Sequence, residues 1–277
     1  MTYLMENKAE GLRLEIKTDP EIVKRQAAWA GICPGMRVLD VGCGIGITTA
    51  ALAELVGEDG HVVGLDASAE RLEAAQKRYG SEQVSFVQHD IRTPFRTRAP
   101  FDAVWARFIL EYFRREQAEI IANSAASLRI GGIYCAVDSD NNSLIHYGHN
   151  DRLQQTMVDI MGRLEREFNF DPYAGRRLFS HLSTLGYENI KCMVETHHLI
   201  YGQLAERDAY NWLRKLELTA TQSGCQFEAY AGEEFAHYPS RYDAFVAEFT
   251  EYFTNPGRFC YTPLVLCRGE KTMRAIT

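Results

Sequence analysis

Five short apolar runs, Arg37 to Val41, His61 to Leu65, Val84 to Gln88, Phe101 to Ala106 and Gly132 to Val137, follow one another along the first half of the chain. Most are separated by stretches with apolar residues at helical spacing, at Ile47 to Val56, Glu70 to Tyr79 and Arg115 to Leu128. Strand-length runs alternating with helical ones predict a doubly wound α/β fold, a parallel sheet wrapped by helices. Upstream, Asp19-Pro20 predicts a helix through Trp29, with the aspartate as cap and the proline at the first helical position. Beyond Val137 the rhythm changes. Leu153, Met157, Ile160, Met161, Leu164 and Phe168 recur at helical spacing, as do Leu178, Leu182 and Leu185 before Gly186. Ile190 to Ile200 and Arg258 to Cys267 read as extended. Between them lie two amphipathic patterns, one through Ala209, Trp212, Leu213 and Leu216, the other through Tyr242, Phe245, Val246 and Phe249.

This organisation predicts a mostly parallel seven-stranded sheet formed by residues 34–204 and 257–277, with a helical lid, 205–256, inserted between the last two strands. Composition changes that picture little and excludes several classes of protein. With 277 residues the chain is long enough for a full core, and 46% hydrophobic against 24% charged residues is ordinary for a globular protein. No apolar run reaches the length of a membrane span, and the first residues, MTYLMENKAEGLRLEIK, carry charges where a signal peptide needs its apolar centre. A cytoplasmic location is expected. The seven cysteines form no CxxC pair, so reduced thiols are expected rather than a disulfide framework. A net charge of −7 without a Lys/Arg run gives no footprint for nucleic acid.

The candidate chemistry begins at Val38-Leu-Asp-Val-Gly-Cys-Gly-Ile-Gly46, where a strand turns through three alternate glycines into a helix. Glycines there let a ligand approach the backbone, and the helix N-terminus favours an anionic group. The dinucleotide fingerprint GxGxxG requires glycine where Ile47 stands, and Asp40 would repel a pyrophosphate. No Gly-Lys-Ser/Thr follows, which excludes a P-loop. Asp66 ends the second apolar run, where a carboxylate can accept from both hydroxyls of a ribose, and Asp90 follows the third, where one can accept from an adenine amine. Three acids at successive strand ends, with no Lys or Arg expected to face the turn, describe a ligand with an amine and a nucleoside but no phosphate.

On these residues the chain resembles the class I S-adenosylmethionine-dependent methyltransferases. The resemblance covers Pro34 to Val137: Asp40-Val-Gly-Cys-Gly-Ile-Gly46, Asp66, His89-Asp90-Ile91, Phe101 to Tyr112 and Leu128-Arg-Ile-Gly-Gly-Ile133. Its overall look is similar to small-molecule methyltransferases of the ubiquinone/menaquinone-biosynthesis type. The resemblance implies a Rossmann-like fold, S-adenosylmethionine as cofactor with S-adenosylhomocysteine as product, and methyl transfer to a small molecule by in-line displacement. It places Gly42, Cys43, Gly44 and Gly46 under the methionine moiety and Asp40 at its amino group. Asp66 and Ala67 would lie at the ribose, Asp90 at the adenine amine, Ile91 at the adenine face, and Arg107 or Phe108 beside the sulfonium. Residues 1–33 would close over the cofactor, with Arg13 at its carboxylate.

Other motifs are weaker. Cys43 reads as a small filler, with nothing basic nearby to activate it. Asp140-Asn141 would suit a magnesium site of the catechol type, but Arg107 occupies the place of the third ligand, so no metal is expected. Asp171-Pro172-Tyr173 lacks the second proline, and the position, of a nucleobase amino-methyltransferase motif. A general base is needed only for a protonated nucleophile; His146, His149, Glu111 and Asp138 are the candidates. His181 reads as a core histidine, His89 as a loop-shaping one, and His197-His198 as one facing in and one out. Tyr210, Trp212, Tyr230, Phe235, Tyr238 and Tyr242 could line an apolar substrate pocket or form the lid's own core. Two other functions compete: a non-catalytic module that binds the same cofactor and regulates a partner, and a nicotinamide-dependent oxidoreductase.

Overall fold

The computed structural model describes residues 18–142, 144–206, 208–209, 212, 238 and 242–276. Arg13, most of the segment 1–33 and most of 205–241, including Tyr210, Tyr230 and Phe235, lie outside the described residues.

Helix α1 (Pro20–Ala30) starts as the Asp-Pro pair predicts: the Asp19 carboxylate accepts from the Glu21 N–H at 2.9 Å, and Gly31, at φ 98°, ends the helix. Then follow β1 (Arg37–Val41), α2 (Ile47–Val56), β2 (His61–Asp66), α3 (Ala69–Tyr79), β3 (Val84–Gln88) and β4 (Phe101–Arg107). After these come α4 (Gln117–Ser124), β5 (Leu128–Ser139), β6 (Ile145–Tyr147), α5 (Asp151–Glu167), α6 (Leu178–Thr184), β7 (Glu188–Tyr201), α7 (Tyr242–Thr254) and β8 (Phe259–Glu270). The strands run β3-β2-β1-β4-β5-β8-β6, with β7 pairing β8, and β1 to β5 pair in parallel. The α/β expectation holds.

Three details depart from the sequence reading. An eighth strand, β6, pairs antiparallel with the start of β8 through only three residues, too few to leave a periodic signal. Strand β5 starts earlier than Gly132, because between the pairs Phe101–Leu128 and Ala103–Ile133 it advances five residues against two, and Gly131 (φ 73°) absorbs the bulge. Helix α4 is shorter than the pattern over Arg115 to Leu128, since the chain tightens into a 3-10 turn at Ala125–Ser127.

The chain divides into two compact units. The larger comprises described residues 18–138, 174–195 and 264–276, and buries an apolar layer on each face of its sheet. Leu39, Val41, Val104, Ala106 and Tyr134 belong to one layer; Val38, Ala103, Trp105, Cys135 and Val137 belong to the other, with Ala27 and Ala30 of α1. This is the two-residue alternation of strands covered on both sides. The smaller unit, 139–173 and 196–263 where described, has its own core of Leu153, Met157, Phe245, Phe249 and Phe253, which also takes in Trp212 and Tyr238. Those two aromatics are therefore core residues. His197 and His198 are both half-buried with their rings 4.1 Å apart, so the expected in/out alternation fails there. No helix among the described residues is long and apolar enough to cross a membrane.

Leu39 is fully buried at the centre of the larger unit. Leu39→Ala is expected to destabilise the chain by about 2–5 kcal/mol, the usual range for such a truncation, whereas Val158→Ala at a half-exposed position of α5 should stay within about 0.5 kcal/mol. Urea unfolding followed by circular dichroism checks both.

Candidate functional site

The larger unit gathers the sequence-predicted acids and glycines where β1 and β2 end. Gly42, Gly44 and Gly46 all have positive φ, at 71°, 55° and 87°, which an L side chain adopts only with strain. At two of them space is also lacking. A Cβ on Gly42 would stand 1.9 Å from Ile109 Cδ1, and one on Gly46 2.9 Å from the Phe86 ring. The turn is pinned by the Cys43 N–H to the Leu65 carbonyl (2.8 Å) and the Gly46 N–H to the Cys43 carbonyl (2.9 Å). Helix α2 then begins at Gly46 with no side-chain cap.

Cys43 is buried against Gly64, where a Cβ would sit 2.8 Å from its sulfur. Burial, with Asp40 and Asp66 nearby, pushes its thiol far above the usual range, which fits a filler and not a nucleophile.

Asp40 is buried beneath this turn and accepts from the Thr49 hydroxyl at 2.6 Å. Burial pushes its carboxyl up to about 7; the Thr49 hydrogen bond and the charge of Arg107 act in the opposite direction, and Asp66 adds to the rise. Asp40 pairs in register with Trp105, so Arg107, two residues on, continues the same face of the sheet.

Arg107 is the last residue of β4, not one past it. Its guanidinium lies 4.4 Å from the centre of the Phe108 ring and is drawn down to about 10 by burial, against the pull of Asp40, Asp138 and Glu195. Glu195, on β7, is itself held by Arg25 and by Gln26 Nε2 (3.0 Å), both on α1.

Asp66 is also largely engaged. Its Oδ2 accepts from the Gly44 N–H at 3.0 Å, tying the turn to β2, while Oδ1 accepts from the Ser68 N–H (2.9 Å) and from Arg71 Nε (3.2 Å) and Nη2 (2.9 Å). The expectation that no Lys or Arg faces the turn is thus corrected. Arg71 reaches back from the first turn of α3, and Arg107 shares the face of Asp40; neither relation is visible in linear spacing.

Asp90 is half-exposed and holds Arg92 with both oxygens, which keeps its carboxyl below the usual range. Ile91 is packed into the core layer with Leu65, while Ala67 is exposed. His89 shapes its loop by contacting the Thr93 carbonyl at 2.9 Å, and His181 meets Gln117 Oε1 at 2.8 Å on the α6 face.

Past β4 the backbone is unusual. Phe108 has a φ of 57°, rare outside glycine, while its N–H bonds the Val137 carbonyl at 2.9 Å. Asp138 Oδ2 accepts from the Leu110 N–H at 2.9 Å, so this buried carboxylate braces the turn that leads to buried Glu111.

The other two candidate bases, His146 and His149, belong to the smaller unit. There His146 Nδ1 lies 3.2 Å from the Tyr252 hydroxyl and 3.2 Å from Cys260 Sγ, and the Tyr252 hydroxyl donates to the Tyr147 carbonyl at 3.1 Å. The His149 ring packs 5.5 Å from that of Tyr252. Sequence reasoning missed Thr49, Arg71, Ile109 and Phe86. Of these only Thr49 left a signal, as a hydroxyl in the first turn of the helix after the glycines.

Residues 38–132 match a sequence family described as a methyltransferase domain. Among curated proteins the chain is 39% identical over 87 residues to a demethylmenaquinone methyltransferase of Staphylococcus aureus, covering 31% of this chain and 36% of that one. The chain spans less than half of the length of the curated relatives it matches, between 19% and 44%. Among solved structures, the 4+2 cyclase SpnF superposes with a TM-score of 0.56 at 18% identity, covering 91% of this chain and 81% of that one. A phosphoethanolamine N-methyltransferase of Haemonchus contortus, solved with S-adenosylhomocysteine, gives 0.57 at 15%, covering 96% and 57%. At these identities the two structures show the fold alone.

Because the folded state holds the Asp40 proton more tightly than the unfolded chain, Asp40 makes stability fall as pH rises from about 4 through about 7. Asp40→Asn removes this dependence. The difference in melting temperature, variant minus wild type, is expected to grow between pH 5 and pH 8, measured by differential scanning calorimetry.

Proposed function

We propose, from the premise that residues 38–132 are a methyltransferase domain of the class I, S-adenosylmethionine-dependent kind, that this chain transfers the methyl group of that donor to a small-molecule acceptor. The observation that carries the reading is the pair of acids around the glycine turn: Asp40 buried below it, and Asp66 bonded to its central N–H. The residues fit the donor. A ribose diol needs an acceptor with two oxygens, and Asp66 has both, each of which also accepts from the chain itself. An ammonium group restores charge to Asp40, whose ionisation is opposed by burial. The space a Cβ would fill at Gly42 and Gly46 is taken by Ile109 and Phe86, so packing within the chain already demands glycine at those two positions.

The donor supplies an electrophilic methyl carbon on a cationic sulfur. The chain's part is alignment: a nucleophile in line with that carbon, in a place without water, which accounts for about 7–11 kcal/mol of a barrier. Arg107 offers a guanidinium to the carboxylate of the amino-acid moiety, its charge favoured by Asp40, Asp138 and Glu195. Asp138 holds the Leu110 N–H through one oxygen and remains a candidate base where the nucleophile arrives protonated. Arg71, which holds Oδ1 of Asp66 at 2.9 Å, competes with the diol for that carboxylate.

Two measurements test the reading. Incubation with labelled-methyl donor and a cell extract, followed by fractionation, is expected to place label among small molecules; label in protein or RNA refutes the acceptor class, and binding without any label favours the regulatory module. In calorimetric titration with S-adenosylhomocysteine, Asp66→Ala is expected to weaken affinity about tenfold or more, the effect of losing a hydrogen bond to a charged group, whereas Arg71→Ala leaves it equal or tighter.

A further inference from the structure

Strands β7 and β8 carry two cysteines in contact. Cys192 Sγ lies 3.3 Å from Cys267 Sγ. Two neighbouring contacts fix how the strands face each other: Asn189 Nδ2 donates to Glu270 Oε2 at 2.7 Å, and Ile190 Cγ1 lies 3.3 Å from where a Cβ of Gly269 would stand. Asn189 with Glu270, Ile190 with Gly269 and Cys192 with Cys267 step in opposite directions along the two strands, the pattern of an antiparallel pair in which the two cysteines are cross-strand neighbours. Residues opposite each other on paired strands have Cα atoms about 4.5–5.5 Å apart, inside the 4.4–6.8 Å window of a disulfide. The two thiols differ in access. Cys192 is exposed and Cys267 is fully buried, and a third thiol, Cys135 on β5, is also fully buried but belongs to the other core layer.

We propose that Cys192 and Cys267 form an oxidisable dithiol, with Cys192 as the residue that hydrogen peroxide reaches and Cys267 as the one that resolves it into a disulfide. Peroxide oxidises the Cys192 thiol to a sulfenic acid: an S–O bond forms, the O–O bond breaks and water leaves. The Cys267 sulfur then attacks the Cys192 sulfur, its proton leaves with the sulfenic oxygen as a second water, and the S–S bond forms. Overall, two thiols and one peroxide give one disulfide and two waters. Exposure selects Cys192 for the first step. Burial holds the Cys267 thiol in its protonated form, which protects it from peroxide and slows the second step; its contact with Cys192 supplies the proximity, and the proton passes to the sulfenic oxygen as the S–S bond forms. The inference is independent of the methyltransferase reading.

The test uses the full chain, exposed to a small excess of hydrogen peroxide, quenched with catalase, denatured and titrated for thiols. Of the seven thiols two are expected to be lost and to return on treatment with dithiothreitol, and non-reducing peptide mapping should join the peptides of Cys192 and Cys267. Cys192→Ser is expected to lose none, whereas Cys33→Ser, at another exposed cysteine, still loses two. A map joining Cys135 to Cys267, unchanged thiols, or Cys192 carried to sulfinic acid with Cys267 still free would each overturn the proposal.

Discussion

Asp40 is a carboxylate 2% exposed to solvent, placed where the first strand of the sheet ends, and the rest of the site is arranged around that burial. In so dry a position the charged form is disfavoured unless something stands opposite it. Within the chain two groups do so in part: the Thr49 hydroxyl from the first turn of α2, and the Arg107 guanidinium from the same face of the sheet. Neither fully restores ionisation, so the carboxyl stays near 7. A cationic group arriving above the glycines meets an acid that its charge can ionise. That is a physical reason for an amino-acid cation, and against a pyrophosphate, at a turn that otherwise resembles a phosphate cradle.

The consequences spread through Arg107. Its charge is disfavoured by burial and sustained by three carboxylates, Asp40 from β1, Asp138 from β5 and Glu195 from β7. Glu195 connects in turn to Arg25 and Gln26 of α1, so the helix that precedes the sheet is tied to the charge state at its centre. Asp138 also braces the backbone at Leu110, beside the strained Phe108. Ile109, next to Leu110 in this turn, fills the space that a Cβ of Gly42 would need.

Much of the fold was legible from the chain. β1 and β3 have the bounds their apolar runs predict, because glycine, proline and polar residues fence them on both sides. The glycines and the three strand-end acids were legible because each belongs to a short local motif. What escaped depends on the third dimension. Arg71 reaches Asp66 only through the geometry of a helix start, and Glu195 arrives from a strand far along the chain. Strand β6 is recognisable only through its partner β8. His146 and Asp138, both read as candidate bases, are held by Tyr252 and Cys260 in one unit and by the Leu110 N–H in the other, contacts that residue type alone does not disclose.

On the proposed reading, the turn from Gly42 to Gly46 holds the amino-acid end of S-adenosylmethionine rather than the pyrophosphate of a nicotinamide dinucleotide. Melting the full chain with each ligand at equal concentration tests it most directly, since a ligand that binds only the folded state at 100 times its dissociation constant stabilises it by about 2.7 kcal/mol. A clear rise in melting temperature is expected with S-adenosylhomocysteine and none with NADH. A rise with NADH and none with S-adenosylhomocysteine would contradict it.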